Sequence, residues 1–136
     1  MDSPRVACVG GVVLDKAGSL LLVLRGNEPD KGCWSIPGGR KEPGEADAAA
    51  TAREVLEETG LPVRVGALLG SAERAAPDGS VYVIRDYFCT VCDGVDASDV
   101  RAGDDADDAA WFRPEQVRNL RCSPGLVQAL EAWKVL

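Results

Sequence analysis

Glu54, Glu57 and Glu58 stand at spacing i, i+3 and i+4 in a stretch with helical periodicity. On a helix the three carboxylates fall within about 100° of one another. Such a trio repels itself on a bare helix, and its ordinary fate is a solvated charged face. The residues around it argue for chemistry instead. The glycine-rich loop Pro37-Gly38-Gly39 lies just upstream, where glycine lets a backbone carbonyl approach a bound ion. Clustered oxygen donors without nitrogen or sulfur suit a hard cation, Mg2+ or Mn2+. The chain has no histidine. No imidazole can act as general base, and no Ser–His or Cys–His nucleophile pair exists. Carboxylates, metal-bound water, Lys and Arg remain.

The element that must carry the trio is a helix over residues 46–60. Pro43, Gly44 and Glu45 precede it, and Asp47 sits in its first turn, at the positive end of the dipole. Gly60 followed by Pro62 is a stop. The periodicity puts Ala48, Ala49, Ala52, Val55, Leu56 and Thr59 on a face opposite the glutamates, within about 120°. That predicts a buried apolar side and a solvent-facing acidic side. Glu45 does not fit the acidic side, because extrapolation sets it about 180° from Glu54. It is expected before the helix start, its carboxylate turned back toward Arg53 as a supporting ion pair.

The other elements follow from β-branched runs and turn residues. Val6–Leu14 and Leu20–Leu24 read as strands joined by the turn Asp15-Lys16-Ala17-Gly18, a hairpin. Residues 26–33 read as a loop and Trp34–Ile36 as a short strand. Val63–Ser71 and Val81–Val91 are further strands around the turn Ala76-Pro77-Asp78-Gly79. Six aspartates and one arginine between Asp96 and Asp108 read as an acidic loop, before a short strand near Ala109–Phe112. Pro114 opens a short helix through Leu120. Ser123-Pro124 caps a last helix with Leu126, Val127, Leu130 and Trp133 on its apolar side. Strands mixed with helices in this order predict an α/β layered domain.

At 136 residues, 46% hydrophobic and 27% charged, the chain fits one globular domain over residues 1–136. No apolar run has the length of a membrane span, and the first residues lack the order of a signal peptide. No membrane association and a cytoplasmic location are the expectation. The net charge of −7 disfavours a nucleic-acid polymer as partner. It does not exclude a nucleotide, since a divalent metal inverts the local charge. Cys8, Cys33, Cys89, Cys92 and Cys122 are odd in number and scattered, against a disulfide framework. The single Cys89-x-x-Cys92 has too few partners for zinc.

Residues 39–61, GRKEPGEADAAATAREVLEETGL, fit G-x5-E-x7-R-E-U-x-E-E-x-G-U, with U apolar, without a gap. Gly39, Glu45, Arg53, Glu54, Val55, Glu57, Glu58, Gly60 and Leu61 fill its fixed positions. The segment resembles the signature of the Nudix hydrolases, MutT-like pyrophosphohydrolases that cleave nucleoside diphosphates linked to another moiety. The resemblance implies a Nudix-type α/β/α sandwich around a mixed β-sheet. It implies that Glu54, Glu57 and Glu58 act as catalytic and metal-binding carboxylates, that Gly39 gives a carbonyl ligand to Mg2+ (or Mn2+), and that Glu45 and Arg53 support them. The implied reaction is hydrolysis of the pyrophosphate linkage of a nucleoside triphosphate, an oxidised nucleotide or an ADP-ribose-like compound, releasing a nucleoside monophosphate. The partner is then a nucleotide-type small molecule, and a homodimer is an open assembly.

The general base is either Glu54 or a downstream carboxylate, with Asp104, Asp105, Asp107 and Asp108 as candidates beside their reading as a solvated acidic loop. Arg25 and Arg40 could hold a phosphate bidentately or lie on the surface. Trp34 and Tyr82 could stack on a base or pack into the sheet. Pro77, sixteen positions past Leu61, resembles the ADP-ribose-cleaving branch, whereas Trp34-Ser35-Ile36-Pro37-Gly38-Gly39 also occurs in branches acting on nucleoside triphosphates. The rival class is a catalytically silent Nudix-fold nucleotide sensor. Such sensors usually lack a box glutamate or carry a DNA-binding domain. Here every box carboxylate is present, and the length suggests no second domain.

Overall fold

A computed structural model of the chain describes residues 3–103 and 105–136. Seven strands form one mixed sheet: β1 (Arg5–Leu14), β2 (Leu20–Arg25), β3 (Trp34–Ser35), β4 (Gly38–Arg40), β5 (Val63–Ala75), β6 (Val81–Val91) and β7 (Ala106–Phe112). The main order is β3-β2-β1-β6-β5, with β4 on β1 and β7 on β2. The helices are α1 (Asp47–Thr59), α2 (Pro114–Val117) and α3 (Leu126–Ala132).

β1 organises the sheet. Its near-continuous apolar run suits a strand buried on both faces. It pairs parallel with β6 from Arg5↔Val81 to Leu14↔Thr90. Its other edge takes β4 antiparallel, from Cys8↔Arg40 to Gly10↔Gly38. The expected hairpin of β1 and β2 therefore closes only at its mouth, Leu14↔Leu20. The turn itself forms, with Asp15 Oδ1 accepting from the backbone N–H groups of Ala17 and Ser19. Beyond it the strands part, because β4 occupies the edge that β2 would need. β2 pairs instead with β7 and β3. The glycines before α1, expected in a loop, thus belong to a strand.

Alternation along β1 and β2 sends side chains to two cores. Val13, Leu21, Val55, Leu61, Val63 and Cys89 pack under α1. Val12, Leu20, Leu22, Val117, Leu126 and Leu130 pack under α2 and α3. Helices on both faces of a mixed sheet give the expected α/β/α sandwich. Leu21 is fully buried on the α1 side. Leu21→Ala is expected to cost about 3 kcal/mol of stability, read as a lower midpoint in urea with unchanged slope.

α1 departs from the predicted facing. Its buried residues are Ala50, Thr51, Val55 and Thr59, whereas Ala48 and Ala49 are exposed and Leu56 is 49% exposed. The helix is rolled so that Glu54 and Glu58 lie in the middle of the face turned to the protein. Thr51 and Thr59 enter the core because their hydroxyls donate to the carbonyls of Asp47 and Val55 one turn back. At the start, Asp47 ties α1 to the sheet. It pairs with Lys41 and accepts from Arg85 Nε and Tyr87 Oη of β6. Gly60 ends the helix at φ +74°, its N–H donating to the Leu56 carbonyl.

Two further expectations change. β7 starts at Ala106, so Asp107 and Asp108 belong to a strand on β2 rather than to an acidic loop. α3 starts after Gly125 without a side-chain cap, so Ser123 does not cap it. Among the described residues, no helix is long and apolar enough to cross a membrane.

Candidate active site

A cavity of about 730 Å³ opens on the α3 side of the sheet and runs to its edge at β4. Gly38, Gly39, Glu54 and Glu58 line one end, and Leu126, Ala129 and Trp133 line another wall. Arg25, Arg40, Tyr82 and Asp105 also line it.

The carboxylates are organised by Arg53. Its Nε and Nη2 donate to the two oxygens of Glu45 at 2.7 and 2.8 Å, a bidentate pair. Nη1 donates to Glu54 at 3.0 Å and to Glu57 at 3.3 Å. Nη2 also reaches the Arg40 carbonyl of β4 at 3.0 Å. One guanidinium thus joins the segment before α1, the helix and β4. The Arg53 hydrogen bonds, with the Glu42 N–H, hold the Glu45 carboxyl down to about 2. The same carboxylates raise Arg53 further above its ordinary range, so it stays a cation.

Glu54 and Glu58 are set differently. Burial raises the Glu54 carboxyl, opposed by its Arg53 contact. Burial, then the charge of Glu54, pushes Glu58 up to about 8. The Gly38 N–H donates to Glu58 at 3.4 Å. Glu54 lies flat against Gly39: a methyl group there would stand 2.6–2.8 Å from its carboxylate atoms. Glycine is required for that approach. Two adjacent acids whose charged forms are both disfavoured, beside a glycine backbone, form an all-oxygen donor set that a hard divalent cation would relieve. The residues fit such an ion. They do not form a ready cage, since no three Asp, Glu or Cys side chains converge among the described residues. Arg53 draws Glu57 aside, its side chain 57% exposed and off the cavity lining.

The remaining predicted residues divide. Arg25 lines the cavity and donates from Nε to the Pro29 carbonyl at 2.6 Å. Arg40 lies over Tyr82, its guanidinium carbon 5.4 Å from the ring centroid, and donates to Tyr82 Oη at 3.1 Å. One face of Tyr82 is therefore covered. Trp34 is not brought to the cavity lining; its ring meets Phe112 edge-on at 4.8 Å and packs on the α3-side core. Asp105 lines the cavity, whereas Asp107 and Asp108 do not. Asp108 accepts from the neighbouring Ala109 N–H. Asp104 falls outside the described residues.

Sequence reasoning passed over Asp86 and Ser123, both buried and both lining the cavity. The signal for Asp86 was a lone acid inside the strand VYVIRDYFCTV, in phase with Tyr82 and Ile84, which also line the cavity.

Fold and site together describe a sandwich with a carboxylate-bearing helix at the end of a ligand-sized cleft. Residues 4–131 match the NUDIX domain family, and the chain belongs to it. It is 40% identical over 109 residues to an ADP-ribose pyrophosphatase of Methanocaldococcus jannaschii, covering 80% of this chain and 62% of that protein. It is 32% identical over 124 residues to a MutT-like protein of Streptomyces ambofaciens, covering 91% of this chain and 74% of the other. This chain thus spans less than two thirds of the archaeal relative. Its fold matches the crystal structure of a MutT protein from Methanosarcina mazei Go1 with a TM-score of 0.82 at 22% identity, over 98% of this chain and 96% of that one. Nudix hydrolases generally use divalent metal ions.

Proposed function

We propose that the chain hydrolyses the pyrophosphate linkage of a nucleoside diphosphate derivative, in a Mg2+- or Mn2+-dependent reaction that releases a nucleoside monophosphate. The observation that carries this reading is the pair of half-buried carboxylates, Glu54 and Glu58, against Gly38 and Gly39 at the end of the cavity. Glu58, one oxygen of Glu54 and the Gly39 carbonyl would hold the cation. A bound divalent ion supplies polarisation of the phosphoryl oxygen and a lower pKa for water. Glu54 takes the proton of the attacking water, a role suited to a carboxyl whose burial raises its basicity. Arg53 is a positioning residue. Arg25 and Arg40, both on the cavity wall, would hold the substrate's phosphates. The names of relatives support the pyrophosphohydrolase class and cover several substrates, ADP-ribose among them.

The test is a screen of ADP-ribose, NADH, dinucleoside polyphosphates and normal and oxidised nucleoside triphosphates, with products identified by mass. Turnover is expected with Mg2+ or Mn2+, to vanish in EDTA and to return on adding metal. Full activity in EDTA would sink the metal assignment. Tight nucleotide binding without any turnover would establish the sensor reading instead.

A further inference from the structure

Among the described residues, two buried side-chain polar atoms have no hydrogen-bond partner: Asp86 Oδ1 and Ser123 Oγ. The residues are 8% and 5% exposed, and both line the same cavity. Interiors leave few such atoms unpaired, because each keeps the cost of lost hydration without a bond in return. Two in one ligand-sized cleft point to a partner that arrives from outside.

We propose that Asp86 and Ser123 form a specificity subsite, which reads the substrate's base and selects one presenting adjacent N–H donors, as guanine does, over adenine. The inference rests on the nucleotide reading above.

The sheet sets the position. Asp86 on β6 pairs with Gly10 on β1, and Gly10 pairs with Gly38 on β4. Asp86 is therefore two strand spacings, about 10 Å, from the Gly38 backbone that contacts Glu58. A molecule with its phosphates at the glutamates would reach Asp86 with its far end. Glycine also makes the space: a methyl at Gly10 would overlap Asp86 Oδ1, and Gly70 is the partner of Asp86 on the other side. Ile36, Ile84, Leu126, Ala129 and Trp133 line the surrounding wall. These are surfaces for a flat ring, with polar groups only at fixed points.

Among the described residues, no cation or hydrogen-bond donor satisfies Asp86 Oδ1. Its carboxyl is pushed up to about 6 by burial alone. In its ionised form it only accepts. Once Oδ1 turns from Gly10 toward the cleft, the two acceptor oxygens complement the ring N–H and amino group on one edge of guanine. Adenine sets a ring acceptor beside its amino group, which would face acceptor to acceptor. The Ser123 hydroxyl can donate to a base carbonyl.

The test is calorimetric binding of GMP, AMP and CMP to the whole chain with Mg2+, for the wild type, Asp86→Asn and Ser123→Ala. The wild type is expected to bind GMP about tenfold or more tighter than AMP, the scale of one well-made bidentate base contact. Asp86→Asn should erase that ratio without lowering the melting temperature, since it removes an unpaired buried charge. Ser123→Ala should weaken GMP more than AMP, which keeps the test standing if the first variant fails to fold. Equal GMP and AMP affinity in the wild type would overturn the proposal. So would an unchanged ratio in Asp86→Asn, or an equal loss for all three nucleotides, which marks a ribose contact. Binding is read without turnover, so selective binding by a chain that hydrolyses nothing would reject the hydrolase and leave this subsite intact.

Discussion

Glu58→Gln is expected to lower turnover by about 10³-fold with a smaller change in KM, because the lost charge acts on the reacting phosphate more than on ground-state binding. The same variant should make the metal-free protein more stable. Burial and Glu54 raise the Glu58 carboxyl from 4.5 to about 8. The folded chain then holds a proton between those values that the unfolded chain has released. Stability contributed by this group is full below about pH 4.5 and is lost as pH rises through about 8. The wild type should therefore lose up to about 1.4 kcal/mol per pH unit across that window relative to Glu58→Gln. Urea denaturation in EDTA from pH 4.5 to pH 8.5 reads the difference. Parallel curves would show that Glu58 is not held in a charge-disfavouring site. Unchanged turnover in the variant would remove Glu58 from the mechanism.

Arg53→Ala is expected to lower turnover by about 10²-fold and stability by about 2 kcal/mol, since it leaves Glu45 and Glu54 without their cation. Arg53 satisfies both oxygens of Glu45, one of Glu54 and the Arg40 carbonyl with a single planar group. Arg53→Lys should recover little, because an ammonium cannot reproduce the two-pronged contact to Glu45 while reaching β4. A positioning role predicts that the metal concentration for half-maximal turnover rises in both variants. Loss of stability with unchanged metal dependence would leave Arg53 as a structural strut alone.

The two variants sit on opposite sides of what could be read from the chain. The Glu45–Arg53 pairing was legible because Glu45 falls out of phase with the helix, and a charge out of phase must be satisfied locally. The helix ends were legible for the same local reason, since Gly60 and Pro62 act through their own backbone. The roll of α1 was not. Helical periodicity marks which residues share a face, but not which face the sheet will cover. Glu54 and Glu58 count as polar in such a pattern, yet they lie in the covered middle, while Leu56 is left half exposed.

Pairing partners were hidden for a related reason. The β1 and β2 sequences suit each other as a hairpin, and the turn between them forms. Residues 38–40 read as a glycine loop because three residues carry too little pattern to mark a strand. Only in the sheet do they take the β1 edge and displace β2. Asp86 and Ser123 were missed because their environments are assembled from distant segments. Gly10 and Gly70 flank Asp86 from the two neighbouring strands, β1 and β5, and no local window contains that arrangement.

By itself the sequence determined the chemistry available: carboxylates in fixed spacing, a glycine approach, no histidine, and the family those residues mark. These are properties of residue type and short-range spacing, and covalent connectivity conveys them directly. The tertiary structure decided which carboxylates meet. It drew Glu54 and Glu58 inward to β4, left Glu57 with Arg53 at the surface, and set two unpaired polar groups in the wall of the cleft. Those outcomes depend on which face packs and which edge is free, and both are settled by burial across the whole sheet.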